Sequence, residues 1–361
     1  MANRREFVRT IAGAAAGAFV AGIPTLGAQA PAARRQVSLG GKRIRVVDVH
    51  AHCTVPEVAA VVKGTKFESE GGPGGARALG PARYALIDKQ GIDLQVLSIN
   101  GHWWYEADRE LAARIVRAQN EGLAKWVSGN GERFDAFASV ALQFPDLAAQ
   151  QLDDAVKRLR LRGAAIGGHA LNEDLSLPKF DVFWAKAAEL GVPVLTHPAG
   201  AENIIKPDAL EGRADLGNII GNPLETTYLL SRLIFDGTLD KYPGLRVIAV
   251  HGGGYLPSYM ARTDVACKVR NNANCANTKD PREYFKQQLI ADTMVLTDEG
   301  LRHLVAEIGS SQIVYGTDNP LNWPVTIDLV LNAKFLDNAQ KEAILGGNAL
   351  RLLRIPATAT A

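Results

Sequence analysis

Only three cysteines occur in 361 residues, so no disulfide framework holds this chain together. Cys53 stands alone, while Cys267 and Cys275 lie eight residues apart in a polar, Asn-rich stretch, where they either pair in an oxidising compartment or remain two free thiols. No basic stripe interleaved with aromatics is present, which excludes nucleic acid as a partner. No apolar run is long enough for a membrane span. Ile11 to Ile23 is rich in Ala and Gly and is broken by Pro24. Internal repeats and a domain-dividing linker are also missing. The formal charge of +2 is accounted for by the first thirty residues, where Arg4, Arg5 and Arg9 stand against Glu6, so the rest sums to zero.

Those thirty residues read as a targeting segment. Arg4-Arg5-Glu6-Phe7-Val8-Arg9 is a twin-arginine pattern, the short apolar run follows it, and Ala28-Gln29-Ala30 resembles a signal-peptidase site. Pro31 is an awkward neighbour for cleavage, and an uncleaved N-terminal anchor is the other reading. The expectation is a signal over residues 1–30, export to the periplasm by the twin-arginine route, and one domain over 31–361. That route carries folded proteins, which suits an enzyme that acquires a metal before export.

With 47% hydrophobic residues the remainder is ample for one large core. Its rhythm is strand then helix. Short β-branched apolar runs are expected as strands at Arg43–His50, Leu94–Asn100, Phe134–Leu142, Gly163–Gly168, Pro193–His197, Arg246–His251, Gln288–Ala291 and Ile313–Gly316. Helical patterns separate them at Asp108–Trp126, Leu147–Arg160, Phe180–Leu190, Pro223–Phe235, Asp298–Ile308 and Val325–Phe335. Apolar strands alternating with amphipathic helices imply a helix-covered parallel sheet, and eight such units favour closure into a (β/α)₈ TIM-like barrel. An open doubly wound sheet is disfavoured because no glycine-rich dinucleotide fingerprint follows the first strand. Thr54–Pro81, with its Gly-rich run, and Pro198–Asn222 are expected as long loops at the catalytic mouth.

Polar residues collect where strands end. The first strand closes with His50-Ala51-His52, and because side chains alternate along a strand the two imidazoles face one side. The fifth closes with Thr196-His197-Pro198, the sixth with His251-Gly252-Gly253-Gly254 and the eighth with Gly316-Thr317-Asp318-Asn319-Pro320. A barrel places such strand ends at its catalytic face. His102 and His169 follow strands two and four and are candidates for the pocket wall, as are Trp103 and Trp104, placed to pack on a planar substrate or else under a neighbouring loop. His303 lies in a helix and reads as structural.

Together with Ile166-Gly167-Gly168-His169, Asn222-Pro223-Leu224-Glu225-Thr226-Thr227 and Gly347-Asn348-Ala349-Leu350, these motifs resemble the set of the amidohydrolase-related family, in particular its aminocarboxymuconate-semialdehyde decarboxylase group. The likeness runs from about Val46 to Leu353. It implies metal ligands His50, His52, His197 and Asp318, with His251 as acid/base beside them and Asp318 counted in the catalytic set. It also implies that Arg262, eleven residues beyond His251, reaches into the neighbouring subunit of a homodimer and grips a substrate carboxylate. The alternative for Arg262 is a helix-face pair with Asp264. Three imidazoles and a carboxylate suit zinc, and the absence of a lysine in Gly163–Gly168 points to one metal rather than two. The chain departs from the group at Ala199-Gly200-Ala201, where a tryptophan is usual. The loop after strand one has diverged too, leaving Arg77 and Arg83 as candidates for a substrate arginine.

The resemblance favours decarboxylation of a small unsaturated or aromatic carboxylic acid. Metal-dependent hydrolysis of a lactone or amide fits the same residues. A non-catalytic exported binder of metal or small acids is the third reading, and the presence of His251 weighs against it.

Overall fold

The computed structural model describes residues 34–357, apart from positions 73, 207, 271 and 325, and they form one compact unit. The twin-arginine segment lies outside the described residues. Eight parallel strands make up the centre. They are β1 (Val47–His52), β2 (Leu94–Ser98), β3 (Phe134–Ala136), β4 (Ala164–Ile166), β5 (Pro193–Thr196), β6 (Arg246–Ala249), β7 (Leu289–Asp292) and β8 (Ile313–Val314). β1 to β3 pair in order, as do β4 to β8. Two seams complete the ring. Ala138 bridges Ala164 between β3 and β4. Between β8 and β1, Val49 N–H donates to Tyr315 O (3.0 Å), Asp318 N–H to His50 O (2.8 Å) and His52 N–H to Asn319 O (2.7 Å). The sheet is thus the closed (β/α)₈ barrel expected from eight repeats.

Each strand buries both faces, which is why it reads as a continuous apolar run. Val47, Val49, Leu94, Val96, Phe137, Ala165, Leu195, Ile248, Ile290 and Val314 fill the barrel interior, and Ala349, Leu353 and Ile355 of the C-terminal segment join the same cluster. The opposite faces pack on the helices. Phe137 is fully buried in the interior, and truncating it to Ala would cost about 3–5 kcal/mol. Helix Arg109–Asn130 shows how the covering layer forms. Asp108 accepts from Leu111 N–H as N-cap, and Ala112, Ile115, Val116, Gln119 and Leu123 recur at three- and four-residue spacing on the buried face. No helix among the described residues is long and apolar enough to cross a membrane.

Several boundaries differ from expectation, the third strand among them, which ends at Ala136 and not Leu142. The first strand begins at Val47, not Arg43, because Lys42–Arg43 pair with Ser38–Leu39 in a hairpin, and it extends through His52 because that residue bonds across the seam. The seventh runs on to Asp292. The Thr54–Pro81 loop contains helix Glu57–Val62 and 3₁₀ turns at Glu68–Gly71 and Gly75–Arg77. The helix expected at 325–335 is only Asp328–Leu331, and the Leu331 carbonyl is taken by Lys341 Nζ (2.7 Å) instead of a further turn. Cys267 and Cys275 form a disulfide, while Cys53 is buried and burial pushes its thiol up to about 12.

Candidate metal centre

At the C-terminal mouth of the barrel five strand ends converge. The β1 register breaks between Asp48 and Ala51, where the strand passes from Val47 and Val49 in the interior to His50 and His52 at the mouth. His197 follows β5 and is pinned by its N–H to Ile166 O (2.9 Å). His251 follows β6, Asp292 ends β7, and Asp318 follows β8. Asp318 Oδ1 lies 3.0 Å from His50 Nε2, 2.6 Å from His52 Nε2 and 3.8 Å from His197 Nε2. One potential ligand atom from each of the four lies within 4.8 Å of every other. His251 Nε2 is 3.7 Å from the second oxygen, Oδ2. His251 and Asp318 both sit in the left-handed backbone region (φ 54° and 58°), a conformation that costs of order 1–3 kcal/mol at a non-glycine residue and clusters at functional sites.

This donor set fits a single divalent ion. Apart from the Asp318 carboxylate they share, the buried His50 Nε2 and His197 Nε2 have no partner among the described residues, the condition of imidazole nitrogens built to face a metal. Their other nitrogens are committed. His50 Nδ1 lies 2.7 Å from Asp292 Oδ2, and His197 Nδ1 lies 2.8 Å from Pro198 O. Donation from those Nδ1–H groups leaves both Nε2 lone pairs facing inward. Burial pushes His52 down to about 4 and His197 well below the ordinary histidine value, so both are neutral and ready to ligate. Burial opposes charge on His50 too, but Asp318 and Asp292 outweigh it and push the group up to about 10. Burial works against the Asp318 carboxylate, yet the imidazoles around it hold it far below the usual range. Close packing makes Gly316 obligatory, since a Cβ there would lie 2.9 Å from atoms of both Asp292 and His50.

A buried polar layer supports the β1 end. Asp48 accepts from Gln95 Nε2 (2.9 Å), Thr317 Oγ1 (2.7 Å) and His50 N–H (3.1 Å), and burial pushes its carboxyl up to about 6. Arg83 is buried in the same layer, donating to Gln95 Oε1 (3.0 Å) and His52 O (2.6 Å). It holds backbone, so of the two substrate-arginine candidates only Arg77, 3.5 Å from His102 Nε2, reaches the mouth loops.

A cavity of about 400 Å³ opens beside His251. Its walls include Asn222, Tyr255, Met294, Leu296, His303 and Trp323, and no Asp, Glu, Lys or Arg is among them. His303, expected to be structural, therefore faces this cavity. The other pocket candidates lie elsewhere. Trp104 stacks on His102 and edges onto Phe67, beside a small niche with Glu70 and Gly71. Trp103 stacks on Tyr105 and approaches Gly167. His169 sits with Nε2 3.6 Å from Glu202 and 3.8 Å from Glu225. Arg262 is exposed on helix Met260–Val269, and Asp264 bonds Arg282 instead.

Sequence reasoning missed two site residues. Asp292 is fully buried behind His50, and its Oδ1 accepts from Gly252 N–H (2.8 Å) and Met294 N–H (3.1 Å); an acid at the end of β7 was the available signal. Glu225 accepts from the N–H groups of Gly168 (2.9 Å), Ala199 (2.9 Å) and Gly200 (2.8 Å), and so ties the segments after β4 and β5 together; burial pushes it up to about 8.

A closed barrel with three imidazoles and one carboxylate at its mouth, backed by a buried aspartate and flanked by a free histidine, defines a metal-dependent barrel enzyme. A family model described as Amidohydrolase matches residues 47–355, and the chain belongs to that family. It is 30% identical to 2-amino-3-carboxymuconate-6-semialdehyde decarboxylase of Dictyostelium discoideum, over 75% of each chain. It is 31% identical to gamma-resorcylate decarboxylase of Polaromonas sp., over 76% of this chain and 86% of that one. A solved dihydroxybenzoic acid decarboxylase from Polaromonas sp., with bound manganese and the inhibitor 2-nitroresorcinol, superposes with a TM-score of 0.75 at 27% identity, over 86% of this chain and 97% of that one. The protein is a metal-dependent enzyme of the amidohydrolase superfamily, in its decarboxylase group.

Proposed function

We propose that this enzyme removes carbon dioxide, without oxidation, from a small aromatic acid that carries one carboxylate. The observation behind the substrate class is the cavity beside His251. Its aromatic and aliphatic walls suit a planar ring, Asn222 and Tyr255 offer neutral hydrogen bonds, and no arginine or lysine of the same subunit lines it, which leaves Arg262 from a neighbouring subunit as the single cation for a single carboxylate. Among the relatives, the resorcylate decarboxylase is named for an acid of this kind. The reaction converts an arenecarboxylate and a proton into an arene and carbon dioxide. A bound divalent ion supplies positive charge that offsets the negative charge gathering on the substrate. The chain supplies the proton. Asp318 Oδ1 is turned to the three Nε2 atoms and Oδ2 to His251, so a proton held at His251 Nε2 stands at the edge of the cavity for transfer to the ring carbon.

Zinc is the ion this donor set favours. Manganese is a second reading, favoured by its presence in the dihydroxybenzoic acid decarboxylase. Metal analysis of the purified protein decides between them. Assembly as a homodimer, with Arg262 offered to the neighbouring site, and export by the twin-arginine route also belong to this reading. The exposure of Arg262, free of Asp264, supports the first. The substrate class is tested by carbon dioxide release from hydroxybenzoates, from benzene dicarboxylates and, alongside, by hydrolysis of lactones. Release from monocarboxylates is expected. Turnover confined to dicarboxylates or to lactones overturns the assignment.

A further inference from the structure

At the opposite end of the barrel from the metal centre lies a second cavity, of about 560 Å³. Ile290 and Val314 from the barrel interior line it. Arg246 at the start of β6 and Arg351 and Arg354 of the C-terminal segment line it as well. Gln287, Ser311, Gln312 and Asn348 add uncharged donors, and no aspartate or glutamate is among the lining residues.

The three guanidiniums differ from the many arginines of this chain that are paired with acids. Arg35, Arg109, Arg158, Arg162 and Arg282 all meet carboxylates. The hollows on either side share Arg351 and Arg354 with this cavity and add Arg43, Arg45, Arg160 and Arg162, of which Arg43 is paired with Asp93 and Arg162 with Asp135. Arg246, Arg351 and Arg354 have only neutral partners among the described residues. Arg246 donates to the carbonyls of Pro243 (3.1 Å) and Leu245 (3.0 Å), Arg351 to Asn348 Oδ1 (2.9 Å) and Arg354 to Leu190 O (3.3 Å). A guanidinium offers five N–H donors, so most remain free at each. An anion with several oxygens can accept the free donors of all three guanidiniums at once. A cavity of this size suits a discrete molecule rather than the flat face of a polymer.

We propose that this cavity binds a small multivalent oxyanion of the phosphate class, held by Arg246, Arg351 and Arg354 and independent of the catalytic mouth. The anion would tie the start of β6 to the C-terminal segment, and its effect would be on stability. The test is calorimetric titration of the full, metal-loaded enzyme at constant ionic strength with inorganic phosphate and, separately, with glycerol 3-phosphate, which distinguishes the free ion from a phosphate monoester. Saturable binding is expected for at least one. The double variant Arg351→Gln/Arg354→Gln should weaken it at least tenfold while leaving decarboxylation in anion-free buffer unchanged. The single variant Arg351→Gln, an exposed change, serves if the double variant fails to fold. Binding that persists at wild-type strength in these variants belongs to the intact metal centre and overturns the proposal, as does a response that sodium chloride reproduces.

Discussion

Replacing Asp292 by Asn changes a single atom of the metal centre's support, and the surrounding hydrogen bonds dictate the consequence. Asp292 Oδ1 accepts from the backbone N–H groups of Gly252 and Met294, so the amide oxygen of an asparagine must occupy that position. The amide NH₂ then faces His50 Nδ1 across the 2.7 Å contact. That NH₂ can donate only to an unprotonated Nδ1, which moves the ring proton to Nε2, the nitrogen aimed at Asp318 and the metal site. The variant must give up a metal bond, keep two donors in collision, or rotate a fully buried side chain. Loss of a supporting partner of this kind typically costs 10–100-fold in metal affinity. The forced tautomer places Asp292→Asn at the upper end, about 100-fold or ~2.8 kcal/mol. Competition with a chromophoric chelator measures the dissociation constant directly, and thermal unfolding of the metal-saturated variant checks that the barrel is intact. An affinity within about threefold of the wild type, a difference under ~0.7 kcal/mol, would refute the reasoning.

The same geometry sets other outcomes. His251→Ala should retain its metal while kcat falls about 10²–10⁴-fold, and near-normal turnover in a metal-replete variant rules out the proton role. Asp318→Ala, or treatment of the wild type with a chelator, should abolish metal and activity together. Where free metal stood 100-fold above its dissociation constant, about 2.7 kcal/mol of stability goes with it, visible as a lower Tm; an unchanged melting curve contradicts this. Mixing inactive Arg262→Ala with inactive His251→Ala should restore part of the activity if Arg262 serves the neighbouring subunit, and no recovery after proven subunit exchange sinks that role. Changing Arg4 and Arg5 to Lys should retain the protein in the cytoplasm, and an unaltered periplasmic yield counts against the export signal.

The barrel was legible because parallel strands buried on both faces leave apolar runs of fixed length between helical periods. All eight were located in the sequence, with errors confined to their ends. The polar strand ends were legible for a related reason: His50, His52, His197, His251 and Asp318 each interrupt an apolar run where it meets the mouth, and the family resemblance then sorted the ligands from His251. Asp292 stands in the same position on β7, but a single acid after an apolar run looks like any strand terminator, and only its 2.7 Å approach to His50 gives it a role. His303 was hidden for the opposite reason, since the turn of helix Asp298–Ile308 that faces the cavity depends on how that helix docks. Arg83 misled because charge suggests solvent, whereas this guanidinium is buried and spends its donors on backbone and Gln95. Trp103 and Trp104 carried no signal for direction, and stacking with Tyr105 and His102 set it.

The seam between β8 and β1 has a bearing on the order of events during synthesis. His52 and Asp318 stand 266 residues apart in the chain yet 2.6 Å apart in the fold. At about 5–20 residues per second, the ribosome delivers the carboxylate roughly 15–50 s after the histidine pair. Throughout that interval a cation meets at most three ligand imidazoles, with no carboxylate ligand and no last strand to close the ring. Tight loading therefore waits for the final eighth of the polypeptide. A fragment ending before Asp318 forfeits the fourth ligand and the ring closure at one stroke, which leaves the cell one fully assembled product and few metal-charged intermediates.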